Sequence, residues 1–170
     1  RLHEEDFHSA HGITMHLGVP VMRIDRDART VESEDGLLPY STLILATGST
    51  PFVPSVPGNT GTAGLVYRTL EDLDVIRAAA QGARHGTVIG GGLLGLEAAH
   101  ALKLLGLEVS VVQLGAHLMS AQLDEDGGRA LRSRIEALGI DVRTSHATKE
   151  IVAGDQHRHR LIFADSPSFE

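Results

Sequence analysis

Gly90, Gly92 and Gly95 stand at the spacing GxGxxG within Thr87-Val88-Ile89-Gly90-Gly91-Gly92-Leu93-Leu94-Gly95-Leu96-Glu97. In such a loop the first glycine makes a tight turn and the second lets the backbone approach a pyrophosphate. The third lets the following helix pack closely on the preceding strand. Gly91, Leu93 and Leu94 complete the loop and carry backbone N–H groups at a helix start, where an anion is favoured. Context supports this reading. Apolar Val88 and Ile89 precede the glycines, a helical run from Leu93 to Leu105 follows, and Val109-Ser110-Val111-Val112 reads as a second strand. Together they predict the first half of a dinucleotide-binding βαβ unit. The alternative is an ordinary tight strand-to-helix turn.

About 20 residues after such a fingerprint, an acidic side chain at the end of the second strand commonly binds the adenosine ribose 2′-hydroxyl. This chain has Gln113 there, followed by Leu114, Gly115, Ala116 and His117. A neutral amide can hydrogen-bond a hydroxyl, but it lacks the repulsion that a carboxylate exerts on a 2′-phosphate. No arginine stands nearby to pair such a phosphate, and an unperturbed imidazole is mostly neutral near pH 7. NADH is therefore expected to bind more tightly than NADPH, with weaker discrimination than a glutamate would give.

Ten histidines raise the question of a metal. His157 and His159 alternate as strand residues do, which would point both rings the same way. No third ligand is placed to complete a site, so metal binding is not expected.

The composition narrows the rest. The chain has 170 residues, is 42% hydrophobic and contains no cysteine. It can bury a core, and it holds no disulfide framework, thiolate metal site or redox-active dithiol. Its apolar runs fall far short of the roughly 18 residues that span a bilayer. A formal net charge of −7 argues against a nucleic-acid groove. A cytoplasmic location agrees with these features. The chain begins at Arg1 without the layout of a signal peptide, as expected of a piece of a longer protein.

The elements that must position these residues form two regions. Val19, Val21 and Ile24 predict one strand, and Arg29-Thr30-Val31-Glu32 predicts the next. Turn chemistry at Glu34-Asp35-Gly36 then suggests a small antiparallel meander. Leu43-Ile44-Leu45-Ala46 is wholly apolar, the pattern of a strand buried on both faces. Pro51, Pro54 and Pro57, with Gly58 and Gly61, favour an extended connector. From Thr69 as N-cap, a short helix with Glu71 and Asp72 in its first turn runs to near Gly82. An amphipathic helix is predicted from about Leu123 to Leu138, with Leu131, Ile135 and Leu138 on one face. Ile140-Asp141-Val142-Arg143 is then the third parallel strand, and Lys149–Val152 with Arg160–Phe163 suggests a late hairpin.

Two motifs occur in a fixed order: Tyr40 to Ser49, containing Ala46-Thr47-Gly48, and about 40 residues later the Gly90–Glu97 loop. The first resembles the ATG motif that closes the FAD-binding domain of the two-dinucleotide-fold flavoprotein reductases. The second resembles their NAD(P)H-binding domain, down to the form GGGxxGxE. Ile24-Asp25-Arg26, Pro51-Phe52-Val53-Pro54, Val66 to Leu73 and Gln122-Leu123-Asp124 are similar, more narrowly, to the large subunits of NADH-dependent (assimilatory) nitrite reductases. Ser41 departs from that pattern, in which an acidic residue commonly follows the tyrosine.

The resemblance implies an α/β fold: a Rossmann-like NAD(P)H-binding domain with a parallel sheet, plus the trailing β-rich part of a FAD-binding domain. It divides the chain into residues 1–58 (end of the FAD domain), 59–83 (connector and short helix) and 84–170 (a truncated NADH domain). It implies an oxidoreductase fragment, inactive alone, that passes electrons from NADH through FAD towards nitrite. Iron–sulfur and sirohaem centres would lie in later domains or a partner subunit outside this chain. The NADH site would comprise Gly90, Gly91, Gly92, Leu93, Leu94, Gly95, Glu97 and Gln113, with Glu97 near the nicotinamide. Ala46, Thr47, Gly48 and Arg68 would face FAD. On the residues alone, Glu97 also suits a helix N-terminus, and Arg68 could instead pair with Glu71 or Asp72. A ferredoxin- or rubredoxin-type reductase, an NADH oxidase or a non-catalytic dinucleotide-binding module would share these motifs.

Overall fold

The computed structural model describes residues 7–59, 64–155, 158–164 and 166–169. Two compact units emerge, one reaching to Gly48 and the other starting at Ser49.

The first unit holds a one-turn helix α1 (Phe7–Ala10) and a meander of β1 (Val21–Asp25), β2 (Thr30–Ser33) and β3 (Gly36–Pro39), paired antiparallel in chain order. Local chemistry sets both turns. The Asp25 carboxylate accepts the N–H groups of Asp27 at 3.1 Å and Ala28 at 2.8 Å, reversing the chain between β1 and β2. The Ala28 bond is the main reason this carboxyl lies below its usual range; desolvation opposes it, and the Asp27 bond and Arg23 add to it. At the second turn Gly36 takes φ of +116°, which an L side chain resists.

The apolar run at residues 43–46 departs from expectation. It forms no strand, and Ile44 and Leu45 are 83% and 68% exposed. An apolar sequence makes a buried strand only when neighbouring strands accept its backbone groups. Among the described residues none pairs with this segment.

The second unit opens with residues 51–58, anchored where the Ile151 N–H donates to Pro57 O at 2.9 Å. Helix α2 (Leu70–Ala80) follows. Its N-terminus is a full capping box: the Thr69 hydroxyl accepts the Asp72 N–H at 3.2 Å, and the Asp72 carboxylate accepts the Thr69 N–H at 2.8 Å. It ends at Gln81, and Gly82 turns the chain with φ of +77°.

Three parallel strands come next, β4 (His85–Ile89), β5 (Glu108–Val112) and β6 (Ile140–Arg143), adjacent in chain order. They are linked by α3 (Leu93–Leu104) and α4 (Glu125–Ala137). Because side chains alternate along a strand, β5 contributes to two cores. Val109 and Val111 pack with Leu96 and Ala99 of α3, Leu107, Leu118, and Ile140 and Val142 of β6. Val112 faces the other way, against Leu161 and Phe163 of a hairpin formed by β7 (Thr148–Ala153) and β8 (His159–Phe163). Leu131 and Ile135 of α4 reach the first core, whereas Leu138, expected on the same face, lies past the last helical residue and is 52% exposed. Arg132 ties α4 to the sheet by donating to Val142 O at 2.9 Å.

Candidate functional site

The loop between β4 and α3 uses each of its glycines differently. Gly90 leaves the strand with φ of +118°, a turn that side chains disfavour. At Gly95 a Cβ would stand 1.9 Å from Gly90 O, so helix and strand could not approach as they do. At Gly91 a Cβ would meet Leu118 at 2.5 Å. Gly92 is different. Its φ of −85° suits any residue, and a Cβ there would meet nothing within 4 Å. Among the described residues, neither backbone nor packing requires a glycine at that position.

The peptide groups around Gly91 are held from both sides. Its N–H donates to Gln113 Oε1 at 2.8 Å, and its carbonyl accepts the Met119 N–H at 2.9 Å. Gln113, at the end of β5, is itself fixed: its N–H donates to Arg143 O at 2.8 Å and its carbonyl accepts the His146 N–H at 3.1 Å. Met119 takes φ of +50°, and the fully buried Leu118 beside it anchors the segment in the core. The glycine loop therefore rests on the chain that follows β5.

Helix α3 starts at Gly92 without a side-chain cap, whereas Thr69 caps α2 and Asp124 caps α4. The first N–H groups of any helix lack intrahelical acceptors. Here they stand above the open space at Gly92, with Leu93 and Leu94 both exposed. This arrangement can receive an anion through backbone donors.

Glu97 is the fifth residue of α3, one position past the first turn, and no acidic residue lies in that turn. The carboxylate is thus not explained as a helix-dipole partner. It lines a groove of about 410 Å³ together with Leu94 and with Tyr67, Arg68, Thr69, Leu70 and Leu73 at the start of α2. Arg68 does not pair with Glu71 or Asp72: the Asp72 carboxylate accepts the backbone N–H groups of Arg68 at 3.0 Å and Thr69 at 2.8 Å. Of this lining the sequence singles out Arg68 and Glu97 as cofactor-facing, whereas Tyr67, Leu70 and Leu73 carry no chemistry that marks them as part of a groove.

On the adenosine side, Gln113 Oε1 is committed to Gly91, which leaves its amide N–H groups for other partners. His117 sits against α4, where a Cβ on Gly128 would come within 2.7 Å of its ring. Arg143 bonds Asp141 at 2.7 Å and lies 3.9 Å from the centre of the Phe169 ring. Ala46, Thr47 and Gly48 lie in the first unit, exposed and outside any strand, with Gly48 at φ of +72°. Of the histidine pair, His159 is in β8 and His157 falls outside the described residues. Among the described residues no three potential metal ligands cluster, and no helix is long and apolar enough to cross a membrane.

The model of the pyridine nucleotide-disulphide oxidoreductase family matches residues 3–169. The chain belongs to that family. It is 54% identical to the nitrite reductase [NAD(P)H] large subunit of Klebsiella oxytoca over 97% of this chain and 17% of that protein. The nitrite reductase (NADH) large subunit of Escherichia coli K12 is 44% identical over 98% of this chain and 20% of its own length. The chain thus spans about a fifth of these relatives. Among solved structures, a ferredoxin reductase from Rhodopseudomonas palustris superposes with a TM-score of 0.86 at 27% identity, covering 99% of this chain and 42% of that one. The α/β architecture expected from the sequence is the family's: a parallel three-stranded sheet accompanied by antiparallel elements.

Proposed function

We propose that this chain is the NADH-binding portion, with the trailing part of the FAD-binding portion, of a flavoprotein reductase that delivers electrons towards nitrite. The observation that carries this reading is the loop at Gly90–Gly95: a rigidly held Gly91, an uncapped helix start and a Gly92 that nothing among the described residues requires to be glycine. A pyrophosphate at Gly92 accounts for all three. Its charge would meet the N–H groups of Leu93, Leu94 and Gly95, where the helix dipole favours an anion. Gln113 would keep the loop in shape and turn its amide N–H groups to the adenosine ribose. Glu97 would take the nicotinamide end. The bound pair of cofactors would supply hydride transfer from nicotinamide to flavin, while the protein binds, orients and shields.

In this reading residues 1–58 belong to the FAD domain, 59–83 connect, and 84–170 form the NADH domain. Ala46, Thr47 and Gly48 would border the FAD phosphate and ribose. Nitrite as destination rests on identity to the nitrite reductase large subunits. Any iron–sulfur or sirohaem centre would lie outside this chain, which has no cysteine. Equilibrium dialysis against NADH and FAD separately tests the division of sites. Retention of NADH with little FAD is expected; a chain that retains FAD and not NADH would overturn it.

A further inference from the structure

We draw no further inference here: the strongest candidate, the exposed apolar patch along α3 from Leu93 and Leu94 to Leu104 and Leu105, carries nothing because nothing in the structure shows what covers it.

Discussion

Gly92 and Gly95 stand three residues apart in one helix start, yet substituting each with alanine should have opposite consequences. At Gly95 the new Cβ would lie 1.9 Å from Gly90 O, a backbone atom that cannot swing aside. Strand β4 and helix α3 must then separate by more than about 1 Å. Overpacking of this kind costs up to about 3 kcal/mol. The better helix propensity of alanine returns about 1 kcal/mol, which leaves a net loss of about 2 kcal/mol. At Gly92 the Cβ would meet nothing within 4 Å, and its φ of −85° accepts any residue. Replacing glycine at an N-cap by alanine costs about 0.5 kcal/mol. What Gly92→Ala should lose is ligand. A methyl in the approach path removes at least one charge-assisted hydrogen bond to the pyrophosphate, about 1.5 kcal/mol or roughly tenfold in affinity. Urea denaturation followed by circular dichroism gives the stabilities, and fluorescence titration with NADH gives the affinities. A folded Gly92→Ala that binds NADH like the unaltered chain would refute the assignment of the loop. A Gly95→Ala as stable as the parent would refute the packing argument.

Gln113→Glu should keep the bond to the Gly91 N–H and add a carboxylate that repels a 2′-phosphate, so the ratio of NADH to NADPH affinity should rise in competition titrations; an unchanged ratio would remove Gln113 from the adenosine site. Asp72→Ala leaves the N–H groups of Arg68 and Thr69 without their acceptor and should cost about 1 kcal/mol, read as a lower urea midpoint. Glu71 at the start of α2 has its carboxyl held below the usual range first by its own backbone N–H and then by the Thr69 hydroxyl, with desolvation and Asp72 opposing. A lowered pKa in the folded state stabilises above the usual glutamate range and is lost as pH falls through the lowered value. Acid titration followed by circular dichroism should therefore show a dependence that Glu71→Gln diminishes, and an identical acid profile in the variant would contradict the assignment.

The meander, the βαβ unit and the late hairpin were legible because their signals are local: alternation, turn residues and glycine spacing read directly from neighbouring positions. Leu43-Ile44-Leu45-Ala46 misled for a physical reason. An apolar run reports a tendency to be buried, while a strand also needs partners for its backbone, and none is present among the described residues. Spacing identified Gln113 but could not show that its side-chain amide oxygen is committed to Gly91, 22 residues earlier in the chain. That Arg68 and Glu97 share one groove was hidden in the same way. Arg68 precedes the cap of α2 and Glu97 lies in α3, and only the packing of α2 near α3 brings both to one groove. Glu97 suits a helix N-terminus on the residues alone, yet it begins the second turn of α3, which removes its simplest structural explanation.

The central claim is that the start of α3 receives the pyrophosphate of NADH through backbone donors. Amide-resolved NMR of the ¹⁵N-labelled chain during NADH titration tests it most directly. The account predicts that the N–H signals of Gly92, Leu93, Leu94 and Gly95 shift together and saturate with a single affinity, while those of the β1–β3 meander stay in place. Saturable shifts confined to other residues, with these four unmoved, would contradict it.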